Sequence, residues 1–442
     1  MTATESGGEV SGEALRPGLT PMARVRAILG GSAGNLVEWY DWFAYSSFAL
    51  YFAKHFFPKG DTTAQLLQTA AVFWVGFLAR PLGAWLTGLY ADRAGRRAAL
   101  TLSVAMMCAG SFSIAIMPDY SVWGAWAPIC LVAARLVQGL SLGGEYGASA
   151  TYMSEMAGKS RRGFWSSFQF MTLIMGQLTA LGVLILLQNI MPRADLEAWG
   201  WRIAFAIGGL LAVVVFYIRS GLEESPSFLA AKASGAERSR AMLLFTKFPR
   251  ETWTIFALTS AGSLAFYAYT TYMQKFLVNT SGFTKDQATT ISAGSLLVYM
   301  LLQPMFGALS DKIGRKTTLI FAFLVGAMIT YPVMSQIATT RDALAAFFLV
   351  VALLSVLSGY TAVNAVLKAE LFPAHVRALG VALPYALANS VFGGSAEYVA
   401  LRFKQANMES GFYVYVAVVM AIAFLVALTL KNTNRHSLIT ED

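Results

Sequence analysis

The sequence contains little charge and few of the residues that do chemistry. Of its 442 residues, 13% are charged, two are cysteines and three are histidines. Cys108 and Cys130 both fall in apolar runs, which supports neither a disulfide framework nor a cysteine-rich zinc site. No HExxH pair and no GxxxxGK[ST] phosphate loop occurs, and no histidine is placed like a catalytic base. These absences indicate that the protein is not an enzyme, and we expect neither a metal ion nor a cofactor.

Apolar residues are abundant instead. Hydrophobic residues make up 56% of the chain, which is too many for a soluble protein of this length. The formal net charge of +9 comes from basic residues in short loops between apolar runs, and these residues form no aromatic-interleaved patch. The composition therefore predicts a protein that crosses the membrane several times, in contact with lipid, and disfavours nucleic acid as a partner.

Twelve apolar segments emerge from a window of about 19 residues, each long enough to cross a bilayer as a helix. The predicted fold class is an all-α membrane protein with segments at 27–53, 64–90, 97–117, 123–153, 163–190, 201–219, 251–278, 287–309, 316–338, 342–367, 378–402 and 411–431. Lys and Arg concentrate in alternate loops, so the positive-inside rule places both termini in the cytoplasm.

One long polar interruption divides the chain. Residues 220–250 separate six segments from six, so we predict two bundles, 27–219 and 251–431, joined by a cytoplasmic loop. Residues 1–26 are predicted to be a disordered cytoplasmic N-terminus without the features of a cleaved signal, and residues 432–442 a cytoplasmic tail.

The loops repeat between these bundles. GLYADRAGRR at 88–97 recurs as GALSDKIGRK at 307–316, and the spacing from Glu155 to Arg162 recurs from Glu370 to Arg377. Two parallel repeats imply a pseudo-twofold axis along the membrane normal, with a solute site near the midplane between them.

The first apolar segment carries two carboxylates near its middle, Glu38 and Asp41, with Tyr45 on the same polar stripe. A carboxylate at that depth costs at least about 2.5 kcal/mol, so it needs a partner, a water-filled cavity or a proton. We interpret Glu38 and Asp41 as a proton-carrying pair beside a solute cavity. A buried structural ion pair is the alternative.

Two arginines lie deep in later segments. Arg80 and Arg135 are each about 18 Å along a helix from its end, so each needs an anion. Two guanidinium groups suit a ligand with two carboxylates, because Arg binds carboxylate through two parallel hydrogen bonds. A structural bridge from Arg80 to Glu38 or Asp41 is the alternative reading.

Neutral polar side chains on several segments are candidates to line the same cavity. They are Tyr45, Gln138, Gln169, Tyr267, Gln274 and Asn389. Polar contacts between helices explain such residues equally well. Lys275 and Lys368 lie near helix ends, where we expect them to snorkel towards water.

The repeated loop resembles that of the major facilitator superfamily, in which it acts as a cytoplasmic gate. The resemblance implies gate roles for Asp92, Arg96, Arg97, Asp311, Arg315 and Lys316, and for Glu155, Arg162, Glu370 and Arg377. Ala94 departs from the pattern, because a basic residue or histidine is expected there in the nearest relatives.

The stretches GNLVEWYDW, FLARPLG, ARLVQGLSLGGEYGASATYMSE and LKAELFPAHVRALG narrow the resemblance to the metabolite:proton symporter branch, and within it to carriers of 2-oxoglutarate. The resemblance implies a monomer that imports this dicarboxylate with protons across a bacterial inner membrane. Carriers of citrate, shikimate, and betaine or proline belong to the same branch and are the alternatives. The C-terminal residues show no heptad repeat, which disfavours the osmosensing betaine and proline carriers.

Overall fold

The computed structural model describes residues 35–94, 96–143, 150, 154, 161–220 and 242–431. Within these ranges twelve long helices, some of them broken, follow one another, and no strand is present. They are α1 (35–47, continued by Ala49–Phe56), α2 (Thr62–Ala94), α3 (Arg96–Ile116), α4 (Trp126–Leu142), α5 (Arg162–Ser166 and Phe168–Ile190), α6 (Trp201–Ser220), α7 (Pro249–Tyr269 and Met273–Asn279), α8 (Lys285–Ile313), α9 (Arg315–Thr339), α10 (Ala343–Thr361 and Asn364–Glu370), α11 (Ala374–Ala388, a π-helical turn Asn389–Gly393, and Ala396–Gln405) and α12 (Glu409–Thr429). Short helical segments at Tyr120–Trp123, Arg193–Asp195, Leu196–Gly200 and Met242–Thr246 lie between some of them.

Each predicted apolar segment overlaps one of these helices, and the predicted fold class is confirmed. Seven helices are long and apolar enough to cross a membrane by themselves, namely α2, α5, α6, α8, α9, α10 and α12. Of the other five, α1, α7 and α11 are interrupted, and the apolar parts of α3 and α4 in the described ranges are shorter. Residues 1–34, 221–241 and 432–442 lie outside the described part of the chain, so most of the predicted N-terminus, central loop and tail is not placed.

Local sequence explains several helix ends. Thr284 and Gln287 form a reciprocal capping box at the start of α8, and Asp342 accepts a hydrogen bond from the Leu344 amide at the start of α10. Gly314 separates α8 from α9 with a φ of 93°, a conformation that side chains other than glycine rarely adopt. The turn between α8 and α9, within the GALSDKIGRK stretch, therefore requires a glycine at position 314.

The packing repeats between the two halves of the chain. In the N-terminal half, α3 packs against α6 and α2 packs against α4. In the C-terminal half, the corresponding pairs are α9 with α12 and α8 with α10. The halves meet where α5 lies against α8 and where α2 lies against α11, two contacts that are equivalent under the repeat. The interface between the halves is therefore built mainly from these four helices.

Glycines let α2 and α4 approach closely. A methyl group added to Gly139 would overlap the carbonyl oxygen of Gly76, and one added to Gly143 would overlap that of Arg80. Small residues at such positions are typical of tightly packed membrane helices. This approach sets the two arginine-bearing helices side by side.

Candidate functional site

Two buried guanidinium groups, one on α2 and one on α4, lie at the centre of the candidate site. The Arg135 guanidinium carbon is 4.0 Å from the centroid of the Trp42 ring and 4.4 Å from that of Tyr45. The Arg80 guanidinium carbon is 4.1 Å from the Trp42 ring centroid and 4.0 Å from that of Phe77. Trp42 of α1 therefore contacts both cations. The aromatic rings attract the charges without neutralising them.

Neither guanidinium forms an ion pair with a carboxylate in the part of the chain that the structure describes. The Arg80 side chain is buried and Arg135 is 0% exposed, yet the Nε and Nη2 atoms of both have no hydrogen-bond acceptor among the described residues. Leaving a buried charge uncompensated costs several kcal/mol. Because the planar guanidinium matches a carboxylate, these nitrogen atoms are suited to bind an anionic ligand.

Asp41 lies behind the arginines, inside the N-terminal half. Its carboxylate accepts hydrogen bonds from the Ser111 hydroxyl of α3 and from Gln138 Nε2 of α4, the latter at 2.7 Å. Gln138 Oε1 in turn accepts a hydrogen bond of 2.8 Å from Arg135 Nη1. One amide thus joins Asp41 to Arg135, so a change of charge on Asp41 alters the hydrogen bonding of the guanidinium.

A small cavity lies between the two halves beside Arg80. Its volume is about 20 Å³, room for about one water molecule. The lining residues include Asn35, Glu38, Trp39 and Arg80 from the N-terminal half, and Tyr385 and Asn389 from the C-terminal half. Glu38 and Arg80 therefore share a space between the halves. A solute larger than water requires the halves to separate.

Asn389 belongs to the π-helical turn of α11. The residue is 1% exposed, and neither its Oδ1 nor its Nδ2 atom has a hydrogen-bond partner within the described ranges of the chain. A π-helical turn interrupts the regular hydrogen-bond pattern of an α-helix, and such turns occur frequently at functional sites. The amide offers one donor group and one acceptor beside the Arg80 guanidinium.

The other predicted lining residues are divided between this site and its surroundings. Tyr267 of α7 interacts electrostatically with Arg80. The Tyr45 hydroxyl donates a hydrogen bond of 3.1 Å to the Thr69 carbonyl. Gln169 is buried on α5. Gln274 donates to Thr289 of α8 at 3.0 Å, so it binds a neighbour within its own half. The structure thus brings Tyr45, Gln138, Tyr267 and Asn389 to the arginines, and it does not bring Gln274 to them.

A buried lysine and glutamate form a second charged group that the sequence patterns missed. The Lys275 ammonium lies 3.0 Å from Glu397 Oε2, with side-chain exposures of 0% and 4%. Lys368 is 2% exposed, with its ammonium 4.0 Å from the centroid of the Tyr385 ring. The expectation that Lys275 and Lys368 snorkel towards water is therefore wrong. Both helices are broken close to these lysines, so neighbouring helices enclose the side chains.

The repeated loop of the C-terminal half forms an ion-pair network at the predicted cytoplasmic end. Arg315 Nη1 lies 2.8 Å from Asp311 Oδ1, and Arg315 Nη2 lies 3.4 Å from Glu370 Oε1. Asp311 also accepts hydrogen bonds of 2.8 and 2.9 Å from the amides of Gly163 and Phe164 at the start of α5. This carboxylate therefore joins the two halves.

The remaining predicted gate residues surround that network or lie beyond the description. Arg162 is buried, Arg377 Nε donates to the Phe372 carbonyl at 3.2 Å, and Lys316 Nζ donates to the Leu428 carbonyl at 2.7 Å. The side chains of Asp92, Arg96 and Arg97, and Glu155 as a whole, lie outside the part of the chain that the structure describes.

The halves also touch at the opposite end. Glu197, just before α6, lies 2.9 Å from the Lys285 ammonium of α8 and 3.0 Å from that of Lys54. Gln188 donates a hydrogen bond of 3.4 Å to Thr289. The described parts of the two halves therefore contact each other at both ends, and the small cavity beside Arg80 lies between these contacts.

Comparisons with known proteins agree with this architecture. Residues 27–247 match the family model described as "Sugar (and other) transporter", and residues 274–440 match "Major Facilitator Superfamily". The chain is 51% identical over 414 residues to an "Alpha-ketoglutarate permease" of Escherichia coli (strain K12), covering 93% of this chain and 95% of the relative. It is 33% identical to a "Citrate-proton symporter" of Klebsiella pneumoniae, covering 84% of each.

Among solved structures, the chain resembles one described as "Crystal structure of D-xylose-proton symporter". The TM-score is 0.76 at 19% identity, covering 92% of this chain and 98% of the other. At that identity the likeness shows the fold alone. The relatives and the fold are those of transporters, not of enzymes.

Proposed function

The chain belongs to the major facilitator superfamily, and on that premise we propose that it is a proton-coupled transporter that imports 2-oxoglutarate, or a similar dicarboxylate, by alternating access. The observation that carries the proposal is the pair of buried guanidinium groups whose Nε and Nη2 atoms have no acceptor among the described residues, which suits them to an anionic ligand. The relative of 51% identity is named a permease for this dicarboxylate. We place the protein in a bacterial inner membrane, as a monomer with both termini in the cytoplasm.

Arg80 and Arg135 bind the two carboxylates in this proposal. Tyr45, Gln138, Tyr267 and Asn389 orient the ligand or the guanidinium groups. Gln169 and Gln274 stay predictions: Gln169 is a buried residue of α5, and the described hydrogen bond of Gln274 goes to Thr289.

Protons are needed because the ligand is a dianion. Moving two negative charges into a cell that is negative inside costs about 4.6 kcal/mol at 100 mV. Two protons make the step electrically neutral, so we propose at least two per substrate. Glu38 and Asp41 are the proposed carriers. Glu38 lines the cavity beside Arg80, and Asp41 is joined to Arg135 through Gln138.

The ion-pair network at α8 acts as a gate in this cycle. Asp311 binds the first amides of α5 and holds the predicted cytoplasmic end closed. Lys316, Glu370 and Arg377 belong to this same gate. The repeat in the N-terminal half, with Asp92, Arg96, Arg97, Glu155 and Arg162, is proposed to act in the same way. The two halves, 27–219 and 251–431, then rock about the bound ligand, and residues 220–250 join them as the cytoplasmic loop.

Citrate is the second candidate, because a citrate-proton symporter is 33% identical to this chain and citrate also carries carboxylates for both arginines. Purified protein in vesicles, with a proton gradient directed inwards, separates the candidates. We expect saturable uptake of 2-oxoglutarate that succinate inhibits more strongly than citrate, shikimate or betaine. Stronger inhibition by citrate would make citrate the substrate. Inhibition by betaine or shikimate alone would contradict a dicarboxylate site.

A further inference from the structure

The Lys275–Glu397 pair lies at the interface between the halves and has no role in the cycle described so far. The Lys275 ammonium lies 3.0 Å from Glu397 Oε2 and donates a hydrogen bond of 3.1 Å to the Thr271 carbonyl. It also donates a hydrogen bond to the Ser46 hydroxyl of α1. Lys275 and Glu397 belong to the C-terminal half and Ser46 to the N-terminal half, so the ammonium joins the two halves.

An ion pair buried at this position is a poor way to stabilise the fold. Removing both ions from water costs several kcal/mol each, and apolar residues of similar size are often as stabilising. The cation is also lysine, whose compact ammonium exchanges partners more readily than the planar guanidinium of arginine. These properties suit a pair that separates during the transport cycle.

The pair is also close to the arginine site. Tyr45 connects the pair to the arginine site. The centroid of its ring lies 4.4 Å from the Arg135 guanidinium carbon, and Tyr45 also interacts electrostatically with Glu397. Arg135 approaches this point from the N-terminal half, and Lys275 approaches it from the C-terminal half. Neighbouring residues of α1 thus contact one cation from each half, because Tyr45 contacts Arg135 and Ser46 accepts a hydrogen bond from Lys275.

We propose that Glu397 accepts one of the transported protons and thereby releases Lys275 to share the substrate carboxylate held by Arg135. This inference rests on the proposed function, and it adds a third cation and a proton site to it. The net charge around Lys275 stays the same, because a proton neutralises the Glu397 carboxylate and the substrate carboxylate takes its place beside the ammonium. Lys275 stays protonated throughout.

Few other titratable or charged groups face the pair in the described part of the chain. They are Tyr45 of α1, Tyr272 of α7 and, next to Tyr45, Arg135 of α4. Glu409 and Tyr413 of α12 interact electrostatically with Tyr272. The carboxylate most directly opposed to the Lys275 ammonium is therefore Glu397. A proton taken up here on substrate binding would reside on it.

The first test uses Glu397→Gln, which imitates the protonated carboxyl. Exchange of 2-oxoglutarate across vesicles should persist, while proton-driven accumulation should fall by about tenfold for each unit of pH gradient, because one coupled proton supplies that factor. Calorimetry in two buffers of different ionisation enthalpy should show one proton fewer taken up per substrate bound than in the unaltered protein. Equal proton uptake in both proteins would overturn the proposal.

The second test separates this role from a structural bridge. If the pair only stabilises the fold, Lys275→Met with Glu397→Gln should restore transport that the single changes impair, since no unpaired charge is left. We expect the double variant to bind 2-oxoglutarate about 30-fold more weakly or worse, as expected when a buried charge partner is lost. Restored binding and accumulation would overturn the proposal. If this variant does not fold, the proton-uptake comparison decides.

Arg402 and Gln405 supply the control. Arg402 donates a hydrogen bond of 2.8 Å to Gln405 on the exposed end of α11. Arg402→Met with Gln405→Met should leave accumulation and proton uptake unchanged. Failure of the unaltered protein to accumulate 2-oxoglutarate would contradict the proposed function itself, whereas normal accumulation in the Lys275–Glu397 double variant would contradict only this inference.

Discussion

Buried arginines occur in two settings in this molecule. Arg80 and Arg135 of the N-terminal half lie between aromatic rings and form no ion pair with a carboxylate in the described part of the chain. Arg315 of the C-terminal half is buried as fully, yet it lies within ion-pair distance of both Asp311 and Glu370. A buried cation that already has carboxylates holds parts of the protein together. One that has none among the described residues is suited to bind a ligand that brings them.

The same distinction separates two steps of transport. The arginines on α2 and α4 should determine affinity for the substrate, because they would bind it directly. Arg315 should determine the rate at which the predicted cytoplasmic end opens, because Asp311 joins that end to α5. The predictions below therefore compare similar substitutions in the two settings.

The largest effect should come from replacing a guanidinium at the ligand site. Arg135→Lys and Arg80→Lys keep the charge but lose the planar fork, so we expect a loss of about 2–5 kcal/mol in binding, which is about 30-fold or more in affinity. Binding of 2-oxoglutarate to purified protein measures it. Arg402→Lys on the exposed end of α11 is the control and should bind normally. Near-normal affinity of Arg135→Lys would count against its role.

Removing a proton carrier should have the next largest effect. In Glu38→Gln and Asp41→Asn, accumulation at a pH gradient of one unit should fall about tenfold for each proton lost, since each coupled proton supplies about that factor. Exchange of labelled for unlabelled substrate needs no net proton movement and should continue. Unchanged uphill accumulation in both variants would refute these assignments.

Arg315→Lys should have a smaller effect, visible in the rate and not in affinity. An ammonium can still pair with Asp311 or Glu370, but it loses the geometry that serves both, so we expect a change of about 1 kcal/mol, roughly a fivefold change in maximal uptake. Initial rates across a substrate series measure it. If KM rises as steeply as in Arg135→Lys, the two settings are not distinct.

The smallest effect on transport should come from the glycine contact that brings the two arginine helices together. Gly139→Ala places a methyl group against the Gly76 carbonyl, so we expect a loss of about 1–3 kcal/mol in stability and only a few-fold loss of uptake. Gly182→Ala on α5 is the matched control, because an added methyl group meets no atom there. Thermal unfolding in detergent compares the two. Equal melting temperatures would show that the helices do not need this approach.

Much of this architecture could be predicted from composition, because a charged residue inside an apolar run is conspicuous. Glu38, Asp41, Arg80 and Arg135 were found in this way, and the repeated loops revealed the two halves. Depth along a helix, however, does not show which way a side chain faces. Glu38 lines the cavity, whereas Asp41, one turn later, is bound inside the N-terminal half by Ser111 and Gln138.

Other features were missed for physical reasons. Trp39 and Trp42 look like ordinary core residues in an apolar run, and only packing shows that both approach Arg80. The break in α7 and the π-helical turn in α11 depend on contacts between helices, so the burial of Lys275 against Glu397 could not be read from helical spacing. These contacts are non-local, and a single sequence carries no local signal for them.

The most direct measurement compares two ligands that differ in one carboxylate. 4-Oxopentanoate keeps the ketone and one carboxylate of 2-oxoglutarate and has a methyl group in place of the other. Dissociation constants for both ligands should be measured on the unaltered protein and on Arg80→Gln and Arg135→Gln. We expect the unaltered protein to prefer the dicarboxylate by about 30-fold or more. This preference should disappear when the arginine that binds the replaced carboxylate is removed, whereas removal of the other arginine should weaken the binding of both ligands alike. A preference that survives in both variants would contradict the claim that these two unpaired guanidinium groups form the dicarboxylate site.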